Sequence, residues 1–127
     1  MAQNAVRALV DAGSDPANLL VALGPSIGAC CYEVGPEVEA AFGSSGAPFF
    51  IPGPAGRKHL DLEAANRAQL AEIGVAAANV DGVSHCTKCR EDLFFSYRRA
   101  REASPLGEGA NAGRMISVAG FSLPSPS

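Results

Sequence analysis

Apolar residues recur at helical spacing over residues 5–12, where Val6, Leu9 and Val10 share one face and Gly13 stops the run. Ser14-Asp15-Pro16 reads as a turn, and the apolar run 19–23 as a short buried strand. Gly24-Pro25-Ser26-Ile27-Gly28 follows as a tight loop. Gly35-Pro36 opens a short helix, with Pro36 at its first position and Val38, Ala41 and Phe42 facing inward. Residues 43–57, broken by Gly43, Gly46, Pro48, Pro52, Gly53, Pro54 and Gly56, predict a loop with Phe49-Phe50-Ile51 briefly extended. Asp61 is placed to cap a helix whose stripe is Leu62, Ala65, Leu70 and Ile73 and whose stop is Gly74. Residues 75–83 return the chain as a strand, and 93–101 is helical or extended, which periodicity does not settle. Residues 103–113 read as a mobile polar loop, 115–121 as a closing strand, and Pro124 and Pro126 as marks of a frayed tail. There is no internal repeat.

Composition narrows the class. The 127 residues suffice for one domain burying about two-thirds of its unfolded surface. Hydrophobic residues at 47% against charged ones at 18% describe a globular α/β chain rather than a disordered one. Lys+Arg 10 against Asp+Glu 13 leaves a net charge of −3, so the broad basic face that nucleic acid requires is missing. No apolar run reaches the roughly 18–20 residues that span a bilayer, and Met1-Ala2-Gln3-Asn4-Ala5 has no secretory pattern. A cytoplasmic location with reduced thiols is therefore expected for Cys30, Cys31, Cys86 and Cys89, of which the adjacent pair Cys30-Cys31 is poorly placed to bridge itself.

Four features carry candidate chemistry, each beside a plainer reading. Gly24 to Gly35, containing Cys30-Cys31-Tyr32, would bring backbone N–H groups and short side chains to a sheet edge where a ligand approaches. The plainer reading is a structural turn with two buried thiols. His85-Cys86-Thr87-Lys88-Cys89 contains a Cys-x-x-Cys pair that can chelate zinc, provided Cys30, Cys31 or His85 completes the four ligands. The second pair of a zinc ribbon is missing downstream, so ordinary half-buried cysteines are expected ahead of a metal site or a redox dithiol. Phe94-Phe95-Ser96-Tyr97-Arg98-Arg99 suits an anionic or planar ligand, or equally an amphipathic segment with solvated arginines. Gly113-Arg114-Met115 lets an arginine turn inward ahead of the last strand, and His59 is expected to be a surface or packing residue.

In this order these blocks resemble one family, the laccase-like purine nucleoside phosphorylases, which also carry the descriptions multicopper polyphenol oxidase and peptidoglycan-editing factor. The resemblance rests on Gly24-Pro25-Ser26-Ile27-Gly28-Ala29-Cys30-Cys31-Tyr32-Glu33-Val34-Gly35. It continues through Leu60-Asp61-Leu62 with Asn66 and Gln69-Leu70, then Cys86-Thr87, Phe94-Phe95-Ser96-Tyr97-Arg98-Arg99 and Gly113-Arg114-Met115. Ala29 stands where the family usually has Pro, and Ala112 where Thr commonly precedes Gly-Arg.

The resemblance implies an α/β (α+β) fold, a layered mixed β-sheet flanked by helices as in cytotoxic necrotizing factor-like folds, here incomplete. Residues 1–123 would be the C-terminal half of such a domain and 124–127 its frayed tail. The family's zinc (or copper) ligands, two His and one Cys, lie in segments that do not occur here, so no metal is expected in this chain alone. Similar full-length proteins cleave purine nucleosides with phosphate and deaminate adenosine. Cys30, Tyr32, Arg98, Arg99 and Arg114 would then be pocket or near-pocket residues with orienting or electrostatic roles, and no catalytic residue is assigned. Purine nucleoside and phosphate would be ligands once the missing half is supplied, with neither nucleic acid nor membrane as a partner. The alternatives are a non-enzymatic half-domain that self-associates through uncovered faces or binds a partner, and a small cysteine-ligated zinc protein.

Overall fold

The computed structural model describes residues 1–105 and 112–126. Helix α1 (Ala2–Asp11) starts earlier than its apolar pattern and ends where Gly13 takes φ +102°. Only Val6 of its expected face is buried, and Leu9 and Val10 are exposed. The contact stripe lies elsewhere on the helix: Gln3 donates to the Gln69 carbonyl and to Glu72, and Ala2 packs beside Val6. Asp15 caps a 3₁₀ turn (Pro16–Asn18) by accepting from the Ala17 N–H.

Strand β1 (Val21–Leu23) alternates in burial, with Leu20 and Ala22 exposed. The fully buried strand expected over 19–23 is thus half-buried, because helices cover one face of it and nothing among the described residues covers the other. Strand β2 (Glu33–Val34) leads through Gly35 into α2 (Pro36–Phe42), with Pro36 at the first position as expected. Of its expected inner face Ala41 is exposed, while Phe42 packs edge-on against Phe49 and Phe50. The segment 43–57 contains more order than its glycines and prolines suggest: a 3₁₀ stretch (Ser44–Phe49), β3 (Phe50–Pro52) and a turn into β4 (Lys58–Leu60).

Asp61 caps α3 (Leu62–Glu72) by accepting from the Ala64 N–H at 2.9 Å, and Ala65 and Leu70 are buried on it. Of the strand expected over 75–83, only β5 (Val80–Gly82) forms, after a 3₁₀ turn at Ala77–Asn79. Ser96 caps α4 (Tyr97–Ala103), which settles the ambiguous 93–101 segment as loop followed by helix. Of the loop expected over 103–113, residues 106–111 lie outside the described residues. The strand expected over 115–121 does not form: residues 112–126 take no helix or strand, since no neighbouring strand among the described residues offers them hydrogen bonds.

The sheets are mixed and small. β1 and β5 pair in parallel, with Val21 opposite Val80 and Leu23 opposite Gly82. β2, β4 and β3 form an antiparallel sheet in that order, with Glu33 opposite His59 and Phe50 opposite Leu60. The main core gathers Val6, Leu70 and Val75 with Leu19, Val21, Leu23, Ile73 and Val80. The accessible surface is 8996 Å², whereas a compact 13.0 kDa monomer would expose about 6,300 Å². Ile116, Val118, Phe121 and Leu123 contribute to that excess, each at least 90% exposed. No helix among the described residues is long and apolar enough to cross a membrane.

Candidate functional site

The parallel pairing of β1 with β5 sends the loops after both strands in the same direction. A further parallel bridge, Ser26 to Cys86, extends that contact, with the Thr87 N–H donating to the Ser26 carbonyl at 3.0 Å. The Cys30-Cys31 step and the Cys86-x-x-Cys89 step therefore meet, although more than fifty residues separate them in sequence. All four sulfurs lie within 4.8 Å of one another. Cys89 Sγ is 3.7 Å from Cys30 Sγ and 3.4 Å from Cys31 Sγ, and all four are free thiols.

The two loops are shaped around this point. The Gly28 carbonyl accepts from the N–H groups of Cys31 and Tyr32, closing a tight turn. A Cβ on Gly28 would stand 3.1 Å from Cys86 Cβ and 3.3 Å from Cys30 Sγ, a tight fit that would push the two loops apart by a few tenths of an ångström. The opposite loop is held by Arg99. Its Nη1 donates to the carbonyls of Thr87 and Lys88 at 2.8 and 2.9 Å, and its Nη2 to that of Phe94 at 2.8 Å. Lys88 forms an ion pair with Glu102 at 2.6 Å. His59 is a packing residue, its Nδ1 within 2.6 Å of the Ala29 carbonyl, and His85 packs against Phe94.

The thiols are not equivalent. Burial by itself would raise Cys86, but the backbone N–H groups of Gly28, Cys89 and Lys88 stabilise its thiolate and bring it from 9.0 down to about 6. Burial, then the neighbouring sulfurs, push Cys31 upward, and burial does the same for Cys30.

Beside the cluster lies a shallow cleft of about 340 Å³, lined in part by Pro25, Tyr32, Phe95, Tyr97, Arg98 and Met115. The Arg98 guanidinium carbon stands 5.6 Å from the Tyr32 ring centre, within cation–π reach. Its contacts to the Glu33 carbonyl are long, 3.4 and 3.5 Å, so its donors are weakly engaged. The larger hollow of about 450 Å³ on the other side of β2 is walled by the pairs Arg57–Glu33 and Lys58–Glu39. Those charges neutralise each other, which makes it the poorer candidate despite its size.

Of the residues singled out from sequence, Tyr32 and Arg98 thus share one cleft. Cys30 joins the thiol cluster and faces a separate hollow with His59. Arg99 sits behind the cysteine loop with its guanidinium bound to protein carbonyls. Arg114 is exposed next to Met115, with no hydrogen bond or ion pair to another described residue. The zinc set weighed from sequence, Cys86 and Cys89 completed by Cys30, Cys31 or His85, comes together with both Cys30 and Cys31 and without His85, whereas the resemblance places Cys30 alone at the pocket and implies no metal ligand in this chain. The signal for them was present: a double cysteine and a Cys-x-x-Cys each following an apolar strand. What the chain could not disclose was that those strands are neighbours.

Comparison with known proteins bears on this arrangement. A family described as multi-copper polyphenol oxidoreductase laccase matches residues 1–122. Adenosine deaminase RL5, from an unknown prokaryotic organism, is 38% identical over 118 residues, covering 90% of this chain and 42% of its own length. Purine nucleoside phosphorylase YlmD of Geobacillus stearothermophilus is 37% identical over 110 residues, 83% of this chain and 37% of that protein. A purine nucleoside phosphorylase of Deinococcus radiodurans is 36% identical over 120 residues, 94% of this chain and 42% of the relative. The crystal structure of the hypothetical protein YfiH from Bacillus licheniformis superposes with a TM-score of 0.73 at 32% identity, over 79% of this chain and 39% of that one. That of YlmD gives 0.71 at 35% identity, with the same coverage. The chain spans about two-fifths of the length of these relatives.

Proposed function

Because the chain belongs to the multi-copper polyphenol oxidoreductase laccase family, we propose that it serves purine nucleoside chemistry as one wall of a larger active site. In this reading residues 1–123 are the rear half of the enzyme domain, with 124–127 a tail. The observation that carries it is the Tyr32–Arg98 pair at a cleft edged by Phe95 and Tyr97. Aromatic faces suit a purine, and a guanidinium with weakly engaged donors suits phosphate or a ribose hydroxyl. Relatives carrying the names purine nucleoside phosphorylase and adenosine deaminase support the substrate class.

Within that site Arg98 would orient the anion, Tyr32 would hold Arg98 by its ring face, and Arg114 would add a second positive charge beside Met115. Arg99 would position the loop from beneath rather than touch substrate. A zinc held outside this chain would supply Lewis-acid chemistry, which is why the chain alone is expected to be inactive or weakly active. The family description also implies copper. Oxidase copper centres draw on several imidazoles, whereas this chain has only two histidines, one bound to the Ala29 carbonyl and one packed on Phe94. Its residues do not fit such a centre, and no redox step is assigned to them. A reducing cytoplasm suits the four free thiols.

The test is an NMR titration of the chain with adenosine and phosphate. Shifts confined to Tyr32, Phe95, Tyr97 and their neighbours, and lost in Arg98→Ala, are expected. Shifts around Glu39 and Arg57 instead would place the ligand in the other hollow and refute the reading. The uncovered surface favours a second reading, a half-domain that pairs with its own copy. Light scattering on a size-exclusion column separates them, since a strict monomer at high concentration removes the self-association alternative.

A further inference from the structure

The nucleoside cleft gives the four cysteines no role, and their convergence stands independently of it. We propose that Cys30, Cys31, Cys86 and Cys89 hold one zinc ion as a closed tetrathiolate that ties the loop after β1 to the loop after β5.

Geometry is the first support. Four sulfurs 2.3 Å from a central ion form a tetrahedron with edges of about 3.8 Å. The four Sγ atoms here all lie within 4.8 Å of one another, with Cys30–Cys89 at 3.7 Å and Cys31–Cys89 at 3.4 Å. Core packing does not account for this convergence, because Cys30 and Cys89 are exposed and free cysteines that serve as hydrophobes are buried. A disulfide does not account for it either. One bridge, such as Cys31 to Cys89, uses only two of the four converging sulfurs, and the chain neighbours Cys30 and Cys31 are poorly placed to bridge each other.

The surroundings are the second support. The Arg90 N–H donates to the Cys86 carbonyl at 3.0 Å, closing the Cys-x-x-Cys turn, and the Thr87 N–H to the Ser26 carbonyl at 3.0 Å, which holds that turn against the opposite loop. Backbone bonds of this kind fix the direction of the sulfurs around an ion. Four thiolates around Zn²⁺ carry a net charge of −2. Arg99 stands behind this loop, its guanidinium clamping the carbonyls of Thr87 and Lys88, while the Lys88 ammonium is paired with Glu102. The bare Cβ position of Gly28 leaves room for Cys30 and Cys86 to close on the same point. Uptake needs no oxidant: one Zn²⁺ enters, four Zn–S bonds form and the thiol protons leave to solvent. With no open position, this ion is structural. It is a different site from a catalytic zinc on histidines outside the chain.

The experiment is metal analysis of the untagged chain purified without chelator, with thiol alkylation before and after a zinc chelator. The expected result is one equivalent of zinc per chain, four thiols protected until chelation, and loss of the ion in both Cys31→Ser and Cys89→Ser. Because misfolding of those variants would also release the ion, cobalt(II) is titrated into the metal-free unaltered chain as well. One equivalent should give the thiolate-to-cobalt charge-transfer bands and tetrahedral d–d envelope of four sulfur donors. Absence of zinc with four freely reacting thiols, a spectrum of nitrogen or oxygen donors, a disulfide, copper(I) or iron in place of zinc, or zinc retained by both serine variants would each overturn the proposal. Stoichiometric zinc in an inactive chain supports it all the same, and a failed nucleoside titration bears only on the cleft.

Discussion

Arg99 donates to three backbone carbonyls of one loop, those of Thr87, Lys88 and Phe94. A lysine ammonium cannot span that fork. Arg99→Ala is therefore expected to cost about 2 kcal/mol in urea unfolding, with Arg99→Lys recovering less than half, and a loss below about 0.5 kcal/mol would contradict the clamp. The thiols offer a pH-dependent check. In the metal-free chain the thiolate is the nucleophile, so labelling at each cysteine rises as pH climbs through its own titration. Cys86, held down to about 6 by backbone N–H groups, should be alkylated first and half-maximally near that pH, with Cys31 still protected at neutrality. Peptide mapping after timed iodoacetamide treatment reads this, and Cys31 reacting first would contradict it. Residue types were legible in the sequence at this scale, but the partners of each were not. The Arg98-Arg99 pair looks uniform in the chain, yet one guanidinium stacks on Tyr32 while the other is bound to carbonyls, because successive helical positions face different directions.

Helix α3 was the most readable element, since its cap Asp61, its buried Leu70 and its stop Gly74 are all local signals. Helix α1 was readable in existence and not in orientation, because periodicity marks an apolar face without saying how much of it a neighbour covers. The contrast predicts that Leu70→Ala, at a residue 2% exposed, costs about 3 kcal/mol, while Leu9→Ala, at one 47% exposed, costs under about 1 kcal/mol. Equal losses in chemical denaturation would contradict this packing. Strands fared worse for a physical reason. A helix satisfies its own backbone, but a strand needs a partner that the local sequence does not name. Residues 115–121 carry a strand-like pattern without strand pairing, whereas β2 and β4, too short to show a pattern, form because they can pair.

At the scale of the molecule, the sheets hold two and three strands, and the surface exceeds that of a compact monomer by roughly 2,600 Å². Apolar side chains at Leu20, Ile116, Val118, Phe121 and Leu123 face outward. The family, the α/β class and the mixed sheets were legible in the ordered sequence blocks; the meeting of four cysteines was not, because it follows from the pairing of β1 with β5. The proposed role, one substrate wall with the metal ligands outside this chain, predicts a chain silent by itself and active once completed. Turnover of adenosine with phosphate, followed by chromatography, reads this for the chain alone and after addition of the upstream portion of the Deinococcus radiodurans relative. Negligible turnover alone, activity on complementation, and loss of that activity with Arg98→Ala are expected. Sustained turnover by the isolated chain, or full activity of the complemented Arg98→Ala variant, would contradict the proposed role.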